Sequence, residues 1–425
     1  MSDQAKSVGI SEGGKNRGWA VTFAGMGVNL ALGVLYAWSV VSKQITKDWG
    51  WNETQAALPY SVAIAAFAFM MVPAGRLQDK FGPRLVATLG GIFCGIGFII
   101  ASLSQSLVGV VVGFGILAGT GIGFGYASAT PPAVKWFPPA RTGLIAGLVV
   151  AGFGLASVYI APLANYLLGA FGIQSTFLTL GIAFLIVVVI LSQFLKNPPA
   201  GYKPAGSPPP VKAGTQGKAP SVKVDYEWNE MLKTPQFILL WIMYVFGAGA
   251  GLMIIGKLAK IVDLQAGIKA GFIFVAMLAV GNAGGRVIAG VLSDKIGRTW
   301  TMFAVFIFQA ILMFLLRGLD TYGTLFVASV LIGFNYGANL SVFPSATKDY
   351  FGLKNFGVNY GFVFTAWGVG GILGPVLSGQ IFDAYKNFNN AYLIAAICLL
   401  VAACLTFFTR APKTKAEEKV LTKAA

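Results

Sequence analysis

The chain has 425 residues, of which 56% are apolar and only 11% are charged, and it contains 55 glycines and no histidine. This composition excludes an ordinary soluble globular domain and is typical of a protein with many membrane-spanning helices. A formal net charge of +16 is compatible with nucleic-acid binding, but the distribution of the basic residues argues against it.

Twelve apolar segments follow one another, and each is long enough to cross a bilayer as a helix. They are predicted at 19–41, 54–75, 85–104, 107–134, 143–168, 174–195, 235–257, 270–293, 299–317, 322–347, 355–382 and 389–409. The sequence thus predicts an all-α membrane protein of twelve transmembrane helices. It divides into a six-helix half at 1–196, a cytoplasmic linker at 197–234, a second six-helix half at 235–410 and a cytoplasmic tail at 411–425. The linker is rich in Pro, Gly and Lys, which predicts a flexible spacer with a short interfacial helix at 226–232.

The basic residues are distributed unevenly between the loops. The termini and every second loop carry 23 of the 31 Lys and Arg residues, and the other loops carry 7. By the positive-inside rule, we expect both termini in the cytoplasm, as in a multi-pass protein of a plasma or bacterial inner membrane. The polar N-terminus lacks the pattern of a cleaved signal peptide. The three cysteines, Cys94, Cys398 and Cys404, fall in apolar segments, so neither a disulfide, a metal site nor a cofactor is predicted.

Two short loops repeat with an offset of 215 residues: GRLQDKFGPR follows the second segment at 75–84, and GVLSDKIGR ends the eighth at 290–298. The pattern resembles the signature loop of the major facilitator superfamily, whose fold has two six-helix halves with a solute site between them. A carboxylate in this loop lies beside the N-terminus of the next helix and gains from its dipole. We expect the charged residues of both loops to control opening of the cytoplasmic end. These residues are Asp79, Lys80, Arg84, Asp294, Lys295 and Arg298.

The eighth segment contains a single cation, Arg286, eight residues before Asp294. At about 1.5 Å per residue it lies about 12 Å inside a half-bilayer that is roughly 15 Å thick. A guanidinium there costs at least about 2.5–3.5 kcal/mol and cannot lose its proton. It must therefore form a structural ion pair or bind an anion in a cavity. No Asp or Glu lies inside another predicted segment, since Asp349 and Asp383 fall at segment ends, so the pattern favours an anion site. Asn282, one turn earlier, shares the face of this cation.

Polar aromatic and amide residues interrupt several apolar segments. Each alone is more often a packing residue or an interfacial anchor, but together with the buried arginine they would form a small pocket for a carboxylate. These residues are Tyr36, Trp38, Tyr126, Asn335, Tyr336, Asn339, Tyr360 and Trp367.

Within the superfamily, the chain resembles the group of oxalate/formate antiporters and monocarboxylate transporters over nearly its whole length. The resemblance lies in GVLYAW, GYASATPPAVKWFP, LKTPQF, GNAGGRVIAGVLSDKIGR and NYGFVFTAWGVGG. It implies that the arginine of the eighth helix, here Arg286, binds the substrate carboxylate. The pocket aromatics of the group correspond to Tyr36, Tyr126, Tyr336 and Phe364. Two positions differ: Trp367 replaces a second cation of the oxalate transporters, and Asn282 replaces an Asp of the animal monocarboxylate transporters.

We therefore expect a monomeric secondary transporter of a small monocarboxylate, of the pyruvate, lactate or formate type, in a lipid bilayer. Transport would proceed by alternating access, either as anion exchange or as proton symport. Both modes stay open, because the sequence offers no histidine or carboxylate near the midplane that would identify a proton relay. The alternatives are an oxalate/formate-type dicarboxylate antiporter and a non-transporting carboxylate sensor, although the linker is too polar to form a signalling domain. An enzyme is not expected, since nothing resembles a nucleophile–base pair or a metal cluster.

Overall fold

The computed structural model describes residues 17–138, 141–199, 202, 225–352 and 355–409, and this part of the chain contains helices and no strands. A short 3-10 segment lies at Gly33–Ala37, and a π-helix lies at Val111–Ala118. The α-helices are α1 Gly18–Leu32, α2 Trp38–Asp48, α3 Glu53–Phe81, α4 Pro83–Ser102, α5 Leu107–Val110, α6 Gly119–Lys135, α7 Thr142–Ser192, α8 Trp228–Met231, α9 Pro235–Ala266, α10 Gly271–Ile296, α11 Arg298–Leu316, α12 Tyr322–Phe351, α13 Phe356–Tyr385 and α14 Asn389–Thr406.

Eleven helical stretches in the described residues are long and apolar enough to cross a membrane, and one of them is long enough to cross it twice. That stretch, within α7, has 49 residues and would be about 74 Å long if straight, more than twice the hydrocarbon thickness of roughly 30 Å. It turns at Gly172, where φ is 76° and ψ is 178°. A side chain at that position would strain the backbone, so glycine permits the turn. The twelve predicted crossings are therefore present.

Two helices extend well beyond the segments predicted for them. The first crossing continues to Asp48 rather than residue 41, and α9 continues to Ala266 rather than residue 257. The cause is the same in both helices: amphipathic turns with Lys residues follow the apolar run, and hydropathy alone places such turns in a loop. As a result, Lys257 lies inside α9 and not at its end, which is where the predicted segment stops.

Local capping signals define where the helices at the ends of the bundle begin and end. The side chain of Asn52 accepts from the backbone N–H of Gln55 at the start of α3, and Gln55 completes a capping box. Thr234 caps α9 in the same way, and α9 ends at Gly267 in the left-handed conformation. These signals are readable in the sequence.

The linker and the tail are described only in part. The short helix α8 falls within the predicted interfacial helix, and the indole ring of Trp228 stacks on Phe362 of α13 at 5.6 Å. The linker residues 200–201 and 203–224, and the tail at 411–425, lie outside the described residues. We call the end of the bundle that holds α8, 79–84 and 294–298 the linker end. The opposite end, where α2 ends and α3 begins, is called the far end.

The two halves pack against each other mainly through α3 with α13 and α7 with α10. Small residues permit close approach along the first pair: a Cβ at Gly368 would lie 2.7 Å from the Cβ of Ala68, and one at Gly371 would lie 2.2 Å from Ile64. Such small-residue contacts are typical of helices packed in a bilayer, where dispersion replaces the hydrophobic effect. The space between the halves is therefore narrow, and it contains the candidate site.

Candidate functional site

Arg286 lies in the middle of α10, ten residues before the helix ends at Ile296. At about 1.5 Å per residue this is about 15 Å from the linker end, close to the midplane. Its Nε donates to Oδ1 of Asn282 at 3.0 Å, and its Nη1 donates to the backbone carbonyl of Val150 in α7 at 3.1 Å. The guanidinium therefore joins the two halves. Among the described residues, no Asp or Glu forms an ion pair with it.

Backbone contacts fix the middle of α10. Cβ atoms at Gly281 and Gly285 would lie 2.0 Å and 1.9 Å from carbonyl oxygens of α12. Likewise, Cβ atoms at Gly333 and Gly337 of α12 would lie 2.0 Å from carbonyl oxygens of α10. Since any side chain at these positions would force the helices apart, the four glycines set the position and rotation of the functional turn of α10.

The helices facing α10 also approach closely through glycine. On α7, a Cβ at Gly154 would lie 3.5 Å from Nε of Arg286, so no side chain from this position covers the guanidinium. On the first crossing, a Cβ at Gly33 would lie 2.4 Å from the Cβ of Ala156. Tyr36 follows one turn later in the 3-10 segment, and the close approach brings its buried ring to the site.

A chain of polar aromatic groups lies beside the guanidinium. The hydroxyls of Tyr36 and Tyr336 are 3.0 Å apart, and the indole N–H of Trp367 donates to the Tyr336 hydroxyl at 2.8 Å. Arg286 lies near the hydroxyls of Tyr36 and Tyr126. The three hydroxyls and the indole N–H therefore lie together near the cation, and such polar groups can orient a ligand bound there.

Stacked aromatic rings lie beside these polar groups. Phe364 stacks on Trp367 at 5.0 Å, and Phe67 of α3 contacts Tyr126, Phe364 and Trp367 at 5.2, 5.8 and 5.1 Å. Phe153 of α7 meets Tyr126 edge-on at 5.2 Å. Rings from both halves thus form one continuous wall around the polar groups.

The structure brings together all seven residues that the sequence prediction assigned to substrate binding. They are Arg286, Asn282, Tyr36, Tyr126, Tyr336, Phe364 and Trp367.

Sequence reasoning missed three contributors to this site: Phe67, Phe153 and the carbonyl of Val150. Each belongs to an apolar segment, and no polar side-chain atom distinguishes these two rings from the rest of the 33 phenylalanines, or this valine from the other valines of the chain. The small-residue pattern of the fifth segment, which includes Gly154, was the available signal that this helix approaches a neighbour closely.

Other polar residues singled out in the sequence have different surroundings. Trp38 donates its indole N–H to the carbonyl of Ala56 at 3.0 Å, within the first half. Asn335 and Asn339 donate to carbonyls four residues earlier in their own helix. Tyr360 lies 5.6 Å from Phe364, at the edge of the aromatic wall.

The charged residues of the second signature loop form contacts within the second half. Arg298 donates from Nε to Asp349 at 2.8 Å, pairs with Asp294 at 2.7 Å and contacts Ser293. Lys295 is exposed. This cluster ties the end of α10 to the end of α12.

The first signature loop shows the same arrangement in the first half. Arg84 donates to the side chain of Gln193 at 2.5 Å, which ties α4 to the end of α7. Lys80 lies 5.2 Å from the ring of the next residue, and Asp79 receives a long contact of 3.5 Å from Gln78. In the described part of the chain, the side-chain contacts of both loops therefore stay within one half.

At the far end, by contrast, charged groups bond across the halves. Nζ of Lys257 in α9 lies 2.5 Å from Oε2 of Glu53 in α3, and it also donates to the Glu53 carbonyl at 2.8 Å. Asp383 in α13 accepts from the backbone N–H groups of Glu53 and Thr54 at 2.9 Å. Neither Glu53 nor Lys257 was predicted to be buried, because Glu53 precedes the predicted segment 54–75 and Lys257 is the last residue of the predicted segment 235–257. Tertiary contacts bury both members of this pair.

The comparisons with known proteins agree with this architecture. The model of the family described as Major Facilitator Superfamily matches residues 18–286 and 263–424. The oxalate:formate antiporter of Oxalobacter formigenes is 29% identical over 92% of this chain and 91% of that protein. Monocarboxylate transporter 2 of Mesocricetus auratus is 24% identical over 93% of this chain and 84% of that protein. The uncharacterized MFS-type transporter YhjX of Escherichia coli is 28% identical over 83% of this chain and 86% of that protein.

Among solved structures, a bacterial homologue of the human lysosomal transporter Spinster, in an inward-facing and unoccupied conformation, aligns with a TM-score of 0.68. It is 18% identical, and the alignment covers 93% of this chain and 98% of that chain. At this identity the similarity shows a shared fold and nothing about the substrate.

Proposed function

Because the chain belongs to the Major Facilitator Superfamily, we propose that it carries a small monocarboxylate, of the pyruvate, lactate or formate type, across a membrane by alternating access. The family and its relatives are transporters, and the chain is a multi-pass membrane protein. The proposal goes further in naming the substrate class and the site that binds it. Transport would be either proton symport or anion exchange.

The observation that carries the proposal is the partly buried guanidinium of Arg286, which has no carboxylate partner in the described residues. Its two hydrogen-bond acceptors, Asn282 and the Val150 carbonyl, are neutral. Leaving a cation unpaired in a low-dielectric interior costs several kcal/mol, by order of magnitude. An anion from solution would offset that cost, and a carboxylate matches the planar geometry of the guanidinium.

The surroundings of the cation favour one carboxylate on a small body. The Tyr36 and Tyr126 hydroxyls lie near the cation, and the stacked rings of Phe364 and Trp367 form an apolar wall beside the hydroxyls of Tyr36 and Tyr336. A second carboxylate would have to lie against this wall without a counter-charge, which is unfavourable. The wall therefore supports a monocarboxylate over a dianion.

The alternative, an oxalate/formate-type dicarboxylate antiporter, is favoured by one comparison. The oxalate:formate antiporter of Oxalobacter formigenes is 29% identical across nearly the full length of both chains. In this alternative, Trp367 would stand where a second cation is needed, so dianion binding would rely on Arg286 alone. This is why we place it second.

Orientation, location and gating belong to the same proposal. The excess of basic residues in the termini and alternate loops supports cytoplasmic termini and a plasma or bacterial inner membrane location. We further propose that the two signature loops control opening at the linker end. The cluster of Arg298, Asp294 and Asp349 would hold the second half rigid while the halves separate there. We propose a monomer without enzymatic activity.

Uptake of labelled carboxylates by proteoliposomes tests the proposal. The panel should include formate, lactate, pyruvate and oxalate, each with and without a pH gradient and with and without an internal anion. Uptake of a monocarboxylate, abolished in Arg286→Gln, is the expected result. Uptake of oxalate in preference to every monocarboxylate would favour the alternative, and no uptake of any member of the panel would reject both.

A further inference from the structure

The basic residues of the far end lie around one cavity. The loops on this side carry 7 of the 31 Lys and Arg residues, and five of the seven line a cavity of about 750 Å³ that opens at the far end. Lys257 lies behind the cavity in its pair with Glu53, and Arg317, which follows α11, is outside it. The five lining residues are Lys43, Lys47, Lys260, Lys269 and Lys386. The cations of a side that carries few of them are therefore concentrated at one place.

Three carboxylates also line the cavity, and contacts between the halves occupy two of them. Glu53 of α3 contacts Lys257 at 2.5 Å and Lys260 at 3.5 Å, so two ammonium groups of α9 face it. Asp383 of α13 accepts from the backbone N–H groups of Glu53 and Thr54, each at 2.9 Å. The charge of Asp383 is therefore directed at the N-terminus of α3, where the helix dipole favours it.

The third carboxylate, Asp263 of α9, contacts two of the lining lysines. It lies 2.9 Å from Lys43 of α2 and 2.8 Å from Lys269. Lys47 and Lys386, by contrast, are exposed and form no ion pair in the described part of the chain. Lys47 ends α2 in the first half, and Lys386 follows α13 in the second. An unpaired ammonium group therefore lines the cavity from each half.

The backbone of Lys386 is in the left-handed conformation, with φ of 57° and ψ of 19°. Among the described residues, it is the residue other than glycine that has a positive φ. Glycine is usual where a helix ends in this way, because a Cβ atom strains the backbone there. A strained residue that is kept at a cavity indicates that its side chain is used.

The cavity lies on the route from the far end to the central site. Behind it, Gly256 precedes Lys257 in α9, and a Cβ at Gly256 would lie 2.9 Å from the ring of Tyr60. Tyr60 is buried, and its hydroxyl has no hydrogen-bond partner in the described residues. It lies near Tyr36, one of the hydroxyls beside Arg286. The cavity, the buried ion pair, Tyr60 and the central site therefore follow one another between the halves.

We propose that the far-end cavity is an anion-attracting vestibule, in which lysines concentrate small carboxylates in front of the central site. Its five lysines outnumber its three carboxylates, and each carboxylate is occupied by contacts within the protein. The low-dielectric walls of a cleft focus the field of the remaining charge, so anions accumulate there and cations are repelled. When the halves separate at the far end, a concentrated anion enters the route to Arg286. This inference rests on the proposed carboxylate transport, but the field can be measured without a substrate.

A cysteine at position 165 reports this field. Asn165 lines the cavity and is exposed, so a reagent can reach it. We would introduce Asn165→Cys into a chain whose three natural cysteines are replaced by serine, in nanodiscs of phosphatidylcholine, a lipid without net charge. Labelling rates are measured with an anionic and a cationic methanethiosulfonate, and each is divided by the rate of the same reagent with free β-mercaptoethanol. The quotient of the two normalised rates, anionic over cationic, is called the charge ratio, and it exceeds one where the potential is positive.

The size of the effect follows from Coulomb's law with screening. A unit charge about 10 Å from the reporter changes the charge ratio about threefold in water at about 0.01 M salt, where the Debye length is about 30 Å. Two such charges change it about sevenfold. At about 1 M salt the Debye length is about 3 Å, and the effect disappears.

The two unpaired lysines give the decisive variants. Lys47→Gln and Lys386→Asn each remove one charge without breaking an ion pair, and Asn tolerates the left-handed backbone. At low salt we expect the charge ratio to exceed one in the parent, to fall about threefold in each single variant and to fall about sevenfold in the double variant. Arg317→Gln is the matched control, because it removes the same charge from the same end outside the cavity. It should leave the charge ratio unchanged.

Three results would overturn the vestibule: a charge ratio near one in the parent at low salt, a ratio that the double variant leaves unchanged, or an equal fall in Arg317→Gln. Uptake with the far end facing outward tests the supply of carboxylate. The double variant should raise KM about threefold at about 0.01 M salt and not at about 1 M. An unchanged KM beside a lowered charge ratio would overturn that role. Since labelling uses no carboxylate substrate, its failure is distinct from failure of the proposed monocarboxylate transport.

Discussion

Two cations between the halves, the partly buried Arg286 and the buried Lys257, should respond differently to the same change, substitution by glutamine. Lys257 neutralises a buried carboxylate, whereas Arg286 has neutral partners in the described residues. Lys257→Gln should therefore destabilise the protein without substrate, and Arg286→Gln should not. The contrast separates a structural charge from a ligand-binding one.

The magnitudes follow from the contacts. Lys257→Gln leaves Glu53 buried with only Lys260 at 3.5 Å, and breaking such a pair from one side costs about 3–5 kcal/mol. Arg286→Gln loses two hydrogen bonds, worth about 1 kcal/mol each. It also removes a partly buried cation that has no carboxylate partner in the described residues, which offsets the lost hydrogen bonds. The net effect on the free energy of unfolding is therefore near zero or stabilising.

Substrate binding should show the reverse order. Removing the guanidinium from a buried contact with a carboxylate costs about 2–5 kcal/mol, or roughly 30-fold to 5,000-fold in affinity. Arg286→Lys keeps the charge but loses the planar fork, and the loss of one charge-assisted bond costs about 1.5–3 kcal/mol. Lys257→Gln leaves the site around Arg286 intact.

Thermal unfolding in detergent, with and without the best carboxylate of the uptake panel, measures both effects. We expect Tm of the Lys257→Gln protein without substrate to fall by several degrees, while the upward shift of Tm on adding substrate persists. For Arg286→Gln we expect an unchanged or higher Tm and no shift with substrate. A fall in Tm as large as that of Lys257→Gln, or wild-type uptake by Arg286→Gln, would refute the assignment of Arg286 as the substrate anchor.

Three further substitutions test the surroundings of the cation. Asn282→Asp would give Arg286 an internal counter-ion, so anion affinity should fall at neutral pH and recover as the new carboxylate is protonated between about pH 8 and about pH 5; a flat pH profile would separate the two side chains. Trp367→Lys adds a second cation to the wall, so uptake of lactate or pyruvate should fall and competition by oxalate should rise; an unchanged preference would contradict the charge argument. Gly285→Ala places a Cβ 1.9 Å from a carbonyl oxygen of α12, whereas Gly284→Ala meets no atom within 4 Å. Only the former should lower Tm and uptake, and equal behaviour of the two would mean that α10 is not held by this contact.

The sequence alone determined the architecture and the central cation. Bilayer thickness fixes the length of a crossing, and hydrocarbon penalises charge, so composition within each segment was enough to find twelve crossings and to mark Arg286. The repeated loops gave the family, which the family model confirmed. Asn282 followed from helical spacing, and the resemblance supplied the pocket aromatics.

Only the tertiary structure decided which residues meet between the halves. Glu53 and Lys257 are 204 positions apart, and each lies where an apolar segment gives way to polar residues, so local hydropathy places both in water. Phe67 and Phe153 have the same side chain as many rings that face lipid, and nothing in their own segments separates a pocket wall from an outer surface. Burial of these residues results from the approach of α3 and α7 to helices of the other half. That approach is a property of long-range packing, which local composition does not contain.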